Sequence, residues 1–158
     1  MSDRMLTDGS PVPEDGSHKE LRPDGQQKGY IILTPEERAK GFVKPVRRSY
    51  LHKTCGAVTT MGVGLSETYA RDPYFYSGTF CATCRSHFSL DQFTWEPDGE
   101  PMDPLLQEDW LKQKSRNDAE ARFRRARERV ARAVNELAAA NKEDEQAQIA
   151  LSLLETPQ

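Results

Sequence analysis

Apolar positions along this chain fall into three regimes. Residues 1–29 hold few large apolar side chains and are rich in Asp, Gly, Pro, Ser and Gln. Pro11, Pro13 and Pro23 interrupt any helix there. Such a segment buries too little apolar surface to offset its ordering entropy, so it reads as a disordered tail in which His18 is inert. From Tyr30 to Trp95 short apolar runs alternate with turn residues. From about Ser115 the pattern takes a helical period.

The middle regime predicts a mixed set of short elements. Tyr30-Ile31-Ile32-Leu33 is an apolar run. Thr34-Pro35-Glu36-Glu37 after it combines an N-cap, a proline at the first helical position and a capping box, and Gly41 ends the short helix. Arg47 to Leu51 reads as extended. Thr59 or Thr60 caps a helix over about 61–71, stopped by Asp72-Pro73. Phe88 to Trp95 suits a strand or hairpin arm turning at Asp98-Gly99. Pro101 and Pro104 mark a linker over 101–114. The expected organisation is a tail (1–29), a core domain (30–100), that linker, and a helical arm (115–155).

The C-terminal pattern repeats every seven residues. Phe123, Val130 and Leu137 form one row of a heptad seam, and Ala126, Ala133 and Ala140 form the other. Alanine lets two helices approach closely, so the seam suits self-association. The arm reads as one helix or as two pieces meeting near Asn141, after which the apolar positions shift to Ile149, Leu151, Leu153 and Leu154.

Charge changes the picture locally. The net charge of the 158-residue chain is only −3. Residues 112–132, however, carry nine basic and three acidic side chains. Arg122, Arg125, Arg129 and Arg132 lie along one helical stripe. With Lys44, Arg47 and Arg48 they define a candidate nucleic-acid surface. Against it stand acid-to-Arg pairs at four-residue spacing, such as Asp118 with Arg122 and Glu128 with Arg132, which stabilise a solvated helix. No run approaches the roughly 18 apolar residues of a membrane span, and no secretory signal is evident. Three cysteines cannot close a disulfide set. A cytoplasmic protein without membrane association is expected.

The chemistry concentrates in one constellation. His52-x-x-Cys55-Gly56 precedes Cys81-x-x-Cys84. Each spacing lets a tight turn aim two side chains at one ion, and two such turns supply the four ligands structural zinc prefers. Gly56 permits the positive φ such a turn requires. Cys84-x-x-His87 keeps His87 as an alternative to His52. A core running from Tyr30 to Trp95 is small enough to need a staple, and zinc supplies one. Two other readings remain. Cys81-x-x-Cys84 alone could be a dithiol redox pair. A catalytic zinc would need an open position and a base, for which Glu67 is the obvious carboxylate. No phosphate-binding glycine loop and no Ser-His-Asp arrangement is present.

The string from His52-x-x-Cys55-Gly56 through Glu67-Thr68-Tyr69-Ala70-Arg71-Asp72-Pro73 to Phe80-Cys81-x-x-Cys84-x-x-His87-Phe88 resembles a family of small bacteriophage and prophage proteins of zinc-ribbon type and uncharacterised activity. Gly41 to Tyr50 is similar as well, so the likeness covers roughly 40–96. It implies a phage or prophage origin, agrees with the three-cysteine set and implies no activity. The expectation is an α+β protein with a small zinc-ribbon-like core, a disordered N-terminal tail and a long C-terminal helical arm. Its expected role is non-catalytic: zinc holds a module that docks a host or phage protein.

Overall fold

The computed structural model describes residues 3–154 and shows an α+β chain of short strands, short helices and one long C-terminal helix. In chain order these are β1 (Arg4–Leu6), β2 (Ile31–Leu33), α1 (Pro35–Arg38), β3 (Ser49–His52), β4 (Val58–Thr60), α2 (Val63–Arg71), β5 (Gly78–Cys81), β6 (Ser86–Ser89), β7 (Phe93–Trp95) and α3 (Pro104–Leu154). Turns of 3₁₀ helix occupy Ser17–Lys19 and Leu90–Gln92. Among the described residues these strands form three antiparallel sheets: β1 with β2, the three-stranded order β4-β3-β7, and the hairpin β5-β6. Residues up to Leu111 form one compact unit and those from Lys112 on another.

Alternation sets the central sheet. Tyr50 and His52 of β3 point inward, as do Phe93 and Trp95 of β7, and the register pairs Tyr50 with Trp95 and His52 with Phe93. Tyr50, Phe93 and Trp95 join Tyr69 of α2, Met61, Cys81, Leu90 and Met102 in one buried cluster. Edge-to-face packing recurs there: Tyr50 meets Trp95 at 86° and Tyr69 meets Trp95 at 87°.

Buried phenols tie the layers by donating to backbone carbonyls. Tyr50 Oη bonds Phe80 O at 2.6 Å, Tyr76 Oη bonds Ile31 O at 2.7 Å and Tyr69 Oη bonds Gly78 O at 3.3 Å. Thr68 adds another tie, since its Oγ1 accepts from Leu33 N at 3.1 Å and donates to Gly64 O at 2.7 Å. Burial pushes the Tyr50 phenol up to about 12 and raises those of Tyr69 and Tyr76 further.

Several expectations are corrected. The disordered tail over 1–29 is not what residues 3–29 form; residues 1–2 lie outside the described residues. β1 pairs β2 from Arg4–Leu33 to Leu6–Ile31, and Leu6 is buried. The polar residues taken as a sign of disorder are turn formers. Asp8, Asp15 and Asp24 each accept from a backbone N–H two residues on, at 2.9 to 3.0 Å. His18 is buried, and its carbonyl accepts from Gly29 N. The linker expected over 101–114 ends early, because Pro104 opens α3 rather than breaking a helix. Asp103 accepts from Leu105 N at 2.9 Å, and proline suits the first helical position. α3 runs without interruption through Asn141, so of the two readings of the arm the single helix is the one seen, and residue 155 of the arm lies outside the described residues. Thr59 and Thr60 belong to β4; α2 starts after Gly62 with no side-chain cap. At α1 the capping box is half made. Thr34 accepts from Glu37 N, but Glu37 pairs with Lys40.

Two predictions follow from these contacts. Gly25 has φ +85°, and a Cβ there would lie 2.0 Å from the carbonyl oxygen of Arg85. Gly25→Ala is expected to destabilise the first unit by about 2 kcal/mol or more, read as a lower Tm. Gly56→Ala strains φ alone and is expected to cost less. The phenols supply the second. Their folded pKa lies above the unfolded value near 10, so their contribution is complete below about pH 10. It is lost as pH rises through about 12, the value for Tyr50. Urea midpoints measured from pH 9 to 12 should fall across that window, and less steeply in Tyr50→Phe.

Candidate metal centre

Two turns of matching design build the site. The first joins β3 to β4: Gly56 N donates to His52 O at 2.8 Å, and Gly56 has φ +70°. The second joins β5 to β6, with Arg85 at φ +53° in the place corresponding to Gly56. The turns are cross-linked by Ala82 N donating to Thr59 Oγ1 at 3.2 Å.

His52, Cys55, Cys81 and Cys84 meet between these turns, their ligand atoms all within 4.8 Å of one another, close enough to hold a metal ion. Cys55 Sγ lies 3.3 Å from His52 Nδ1 and 3.6 Å from Cys81 Sγ, and Cys84 Sγ lies 3.6 Å from His52 Nδ1. A tetrahedral zinc with its usual bond lengths requires sulfur–sulfur edges of about 3.8 Å and sulfur–nitrogen edges of about 3.6 Å. The donor set and these three edges are therefore compatible with zinc.

The imidazole is fixed on every side. It stacks between Phe88, at a centroid distance of 4.6 Å, and Phe93, at 4.7 Å. Nε2 lies 3.4 Å from Gln92 Oε1, so a proton on Nε2 leaves Nδ1 to face the thiols. His52 and Cys81 are buried, whereas Cys55 and Cys84 are exposed. Burial opposes ionisation of Cys81. The Cys84 and Thr83 amides and the neighbouring thiols outweigh it and bring the thiol down to about 7. Desolvation and the adjacent thiols push Cys84 up to about 11. One thiolate forms readily and a second beside it is opposed, a charge conflict that a divalent cation relieves.

The other sequence candidates lie elsewhere. His87 is outside the group; on β6 its Nε2 is 2.9 Å from Tyr30 Oη and its ring packs on Phe80. Glu67 pairs with Arg38 and does not approach the cysteines. Arg47 is nearly buried, forms ion pairs with Asp98 at 2.9 Å and Glu100 at 2.8 Å, and lies over the Trp95 ring. Lys44 lies 3.6 Å from Glu100, and Arg48 Nε donates to Met61 O. In the second unit, Arg122, Arg125, Arg129 and Arg132 lie on the exposed part of α3. No described helix is long and apolar enough to cross a membrane.

The sequence reading missed a cavity of about 800 Å³ beside the second turn. Rings of Tyr50, Tyr69, Phe75, Tyr76 and Phe80 line it together with Arg4, His18, Lys19 and His87, and no carboxylate does. Its polar wall comes largely from the N-terminal segment, which is why no local sequence signal announced it.

No family model, no curated protein and no solved structure matches this chain.

Removing the ligand set should separate the two histidines. His52→Ala is expected to weaken zinc binding by at least a hundredfold in a competition titration, while His87→Ala leaves it within about threefold. Equal losses would contradict the assignment.

Proposed function

We propose that this chain is a non-catalytic, zinc-stabilised binding module of phage or prophage origin, acting in the host cytoplasm, whose zinc-ribbon-like core docks a protein partner. The observation that carries it is the four-donor convergence itself. Four protein ligands satisfy a tetrahedral ion and leave no position for water or substrate. The absence of any further His, Cys or carboxylate from the group, among the described residues, also favours a structural over a catalytic ion. A redox role is disfavoured because Cys81, the thiol with the lowered pKa, has no exposed surface from which to attack an external disulfide.

Docking is best accommodated at the aromatic cavity. Its lining combines apolar rings with the exposed cation of Lys19 and lacks carboxylates, so the complementary partner is an acidic segment carrying an apolar or aromatic side chain. The alternative, nucleic-acid binding, draws its support from the exposed arginines of α3, because Lys44 and Arg47 are engaged with acids inside the first unit.

Lys19 and Val58 line the cavity and both are exposed, so substitution at either is expected to spare the core. A partner recovered by the wild-type chain should be lost by the Lys19→Glu/Val58→Glu double variant, with zinc content and Tm unchanged. A partner retained by that variant would overturn this docking site. DNA or RNA binding that falls steeply with salt would favour the alternative instead.

A further inference from the structure

Beyond Leu111 the chain forms a helix whose side chains are almost all exposed, including Phe123, Val130, Val134 and Leu137 at 58 to 67%. A helix of this length that buries no face has little to stabilise it beyond intrinsic propensity. Its heptad seam extends further than the three large residues suggest. With Phe123, Val130 and Leu137 at a, every d position from 119 to 147 is alanine: Ala119, Ala126, Ala133, Ala140 and Ala147. The flanking a positions, Arg116 and Asp144, are charged.

We propose that this helix pairs with the same helix of a second copy as an antiparallel, alanine-seamed coiled coil, in the register that sets Val130 opposite Ala133 of the other copy. Neither the metal centre nor the docking cavity takes part in this pairing. In this register Phe123 faces the other copy's Ala140, and Leu137 faces its Ala126. Each large side chain thus meets a small one, which permits an interaxial distance near the lower limit of about 8 Å.

Charge selects both orientation and register. The g positions are Arg122, Arg129, Glu136 and Glu143, basic in one half and acidic in the other. Antiparallel pairing brings g against g, so Arg122 meets the other copy's Glu143 and Arg129 meets its Glu136. The charged a positions agree: Arg116 lies within one turn of the other copy's Asp144. The parallel alternative places Arg116 beside Arg116 and Asp144 beside Asp144 at the seam, and sets Arg122 against Arg127. Like charges at those points disfavour it. The e positions of the antiparallel form, Arg127 against Val134 and Glu120 against Asn141, introduce no repulsion. The overlap spans residues 112 to 151 of each copy, roughly 60 Å of helix.

The test is sedimentation equilibrium on the full zinc-loaded chain, with helix content followed by circular dichroism. The wild type is expected to be a dimer at micromolar concentration. Arg129→Glu places two acids together at both symmetric g pairs and should weaken the dimer by about tenfold or more. Combining Arg129→Glu with Glu136→Arg restores opposite charges and should restore the wild-type affinity. Arg129 faces Val134 in the parallel form, so there the single change would have little effect and the second no rescue. A monomeric wild type, a different stoichiometry, or a dimer indifferent to Arg129→Glu would each overturn the proposal. So would failure of the double variant to recover.

Discussion

The convergence of His52, Cys55, Cys81 and Cys84 is the constraint on which the first unit depends. β4-β3-β7 and β5-β6 are separate ladders with no strand in common. Each contributes one turn to the four-residue group, so an ion bound there joins two hairpins that backbone pairing leaves apart. The other bonds between them, Tyr50 to the Phe80 carbonyl and Ala82 to Thr59, are single hydrogen bonds of about 1 kcal/mol each. Zinc bound by a folded site and not by the unfolded chain adds its binding free energy to folding.

The surroundings of the site follow from that junction. Phe88 and Phe93 hold the His52 ring from opposite ladders, so ligand orientation and aromatic core are one structure. The N-terminal segment closes over the second turn, where Gly25 meets the Arg85 carbonyl so closely that no side chain fits. The same segment supplies Arg4, His18 and Lys19 to the wall of the aromatic cavity. Metal site, N-terminal segment and cavity therefore adjoin, which couples the order of the proposed docking surface to the integrity of the metal turns.

Legibility in the sequence tracked how local each signal was. The grouping of His52, Cys55, Cys81 and Cys84 was legible because two-residue spacings and Gly56 encode turns. α1 and α2 were legible within a few residues from Thr34-Pro35 and Asp72-Pro73. The N-terminal segment was misread because Asp, Gly and Pro have the same composition in a disordered tail as in a run of hydrogen-bonded turns. What distinguishes them here is the pairing of Met5 with Ile32, a contact distant in sequence. The role of Lys44, Arg47 and Arg48 was likewise ambiguous: Asp98 and Glu100, which engage Arg47, arrive from another part of the chain. Pro104 was read as a breaker because a proline at the first turn of a helix and one that ends a helix look alike until the cap at Asp103 is seen.

The most direct test of the central claim is a chelator titration of the native zinc protein, with zinc release and the near-ultraviolet circular dichroism of the aromatic core recorded together. The account predicts one zinc per chain, released in step with loss of the aromatic signal and with exposure of all three thiols. Zinc release that leaves the aromatic signal intact, or a native protein that binds no zinc, would contradict it.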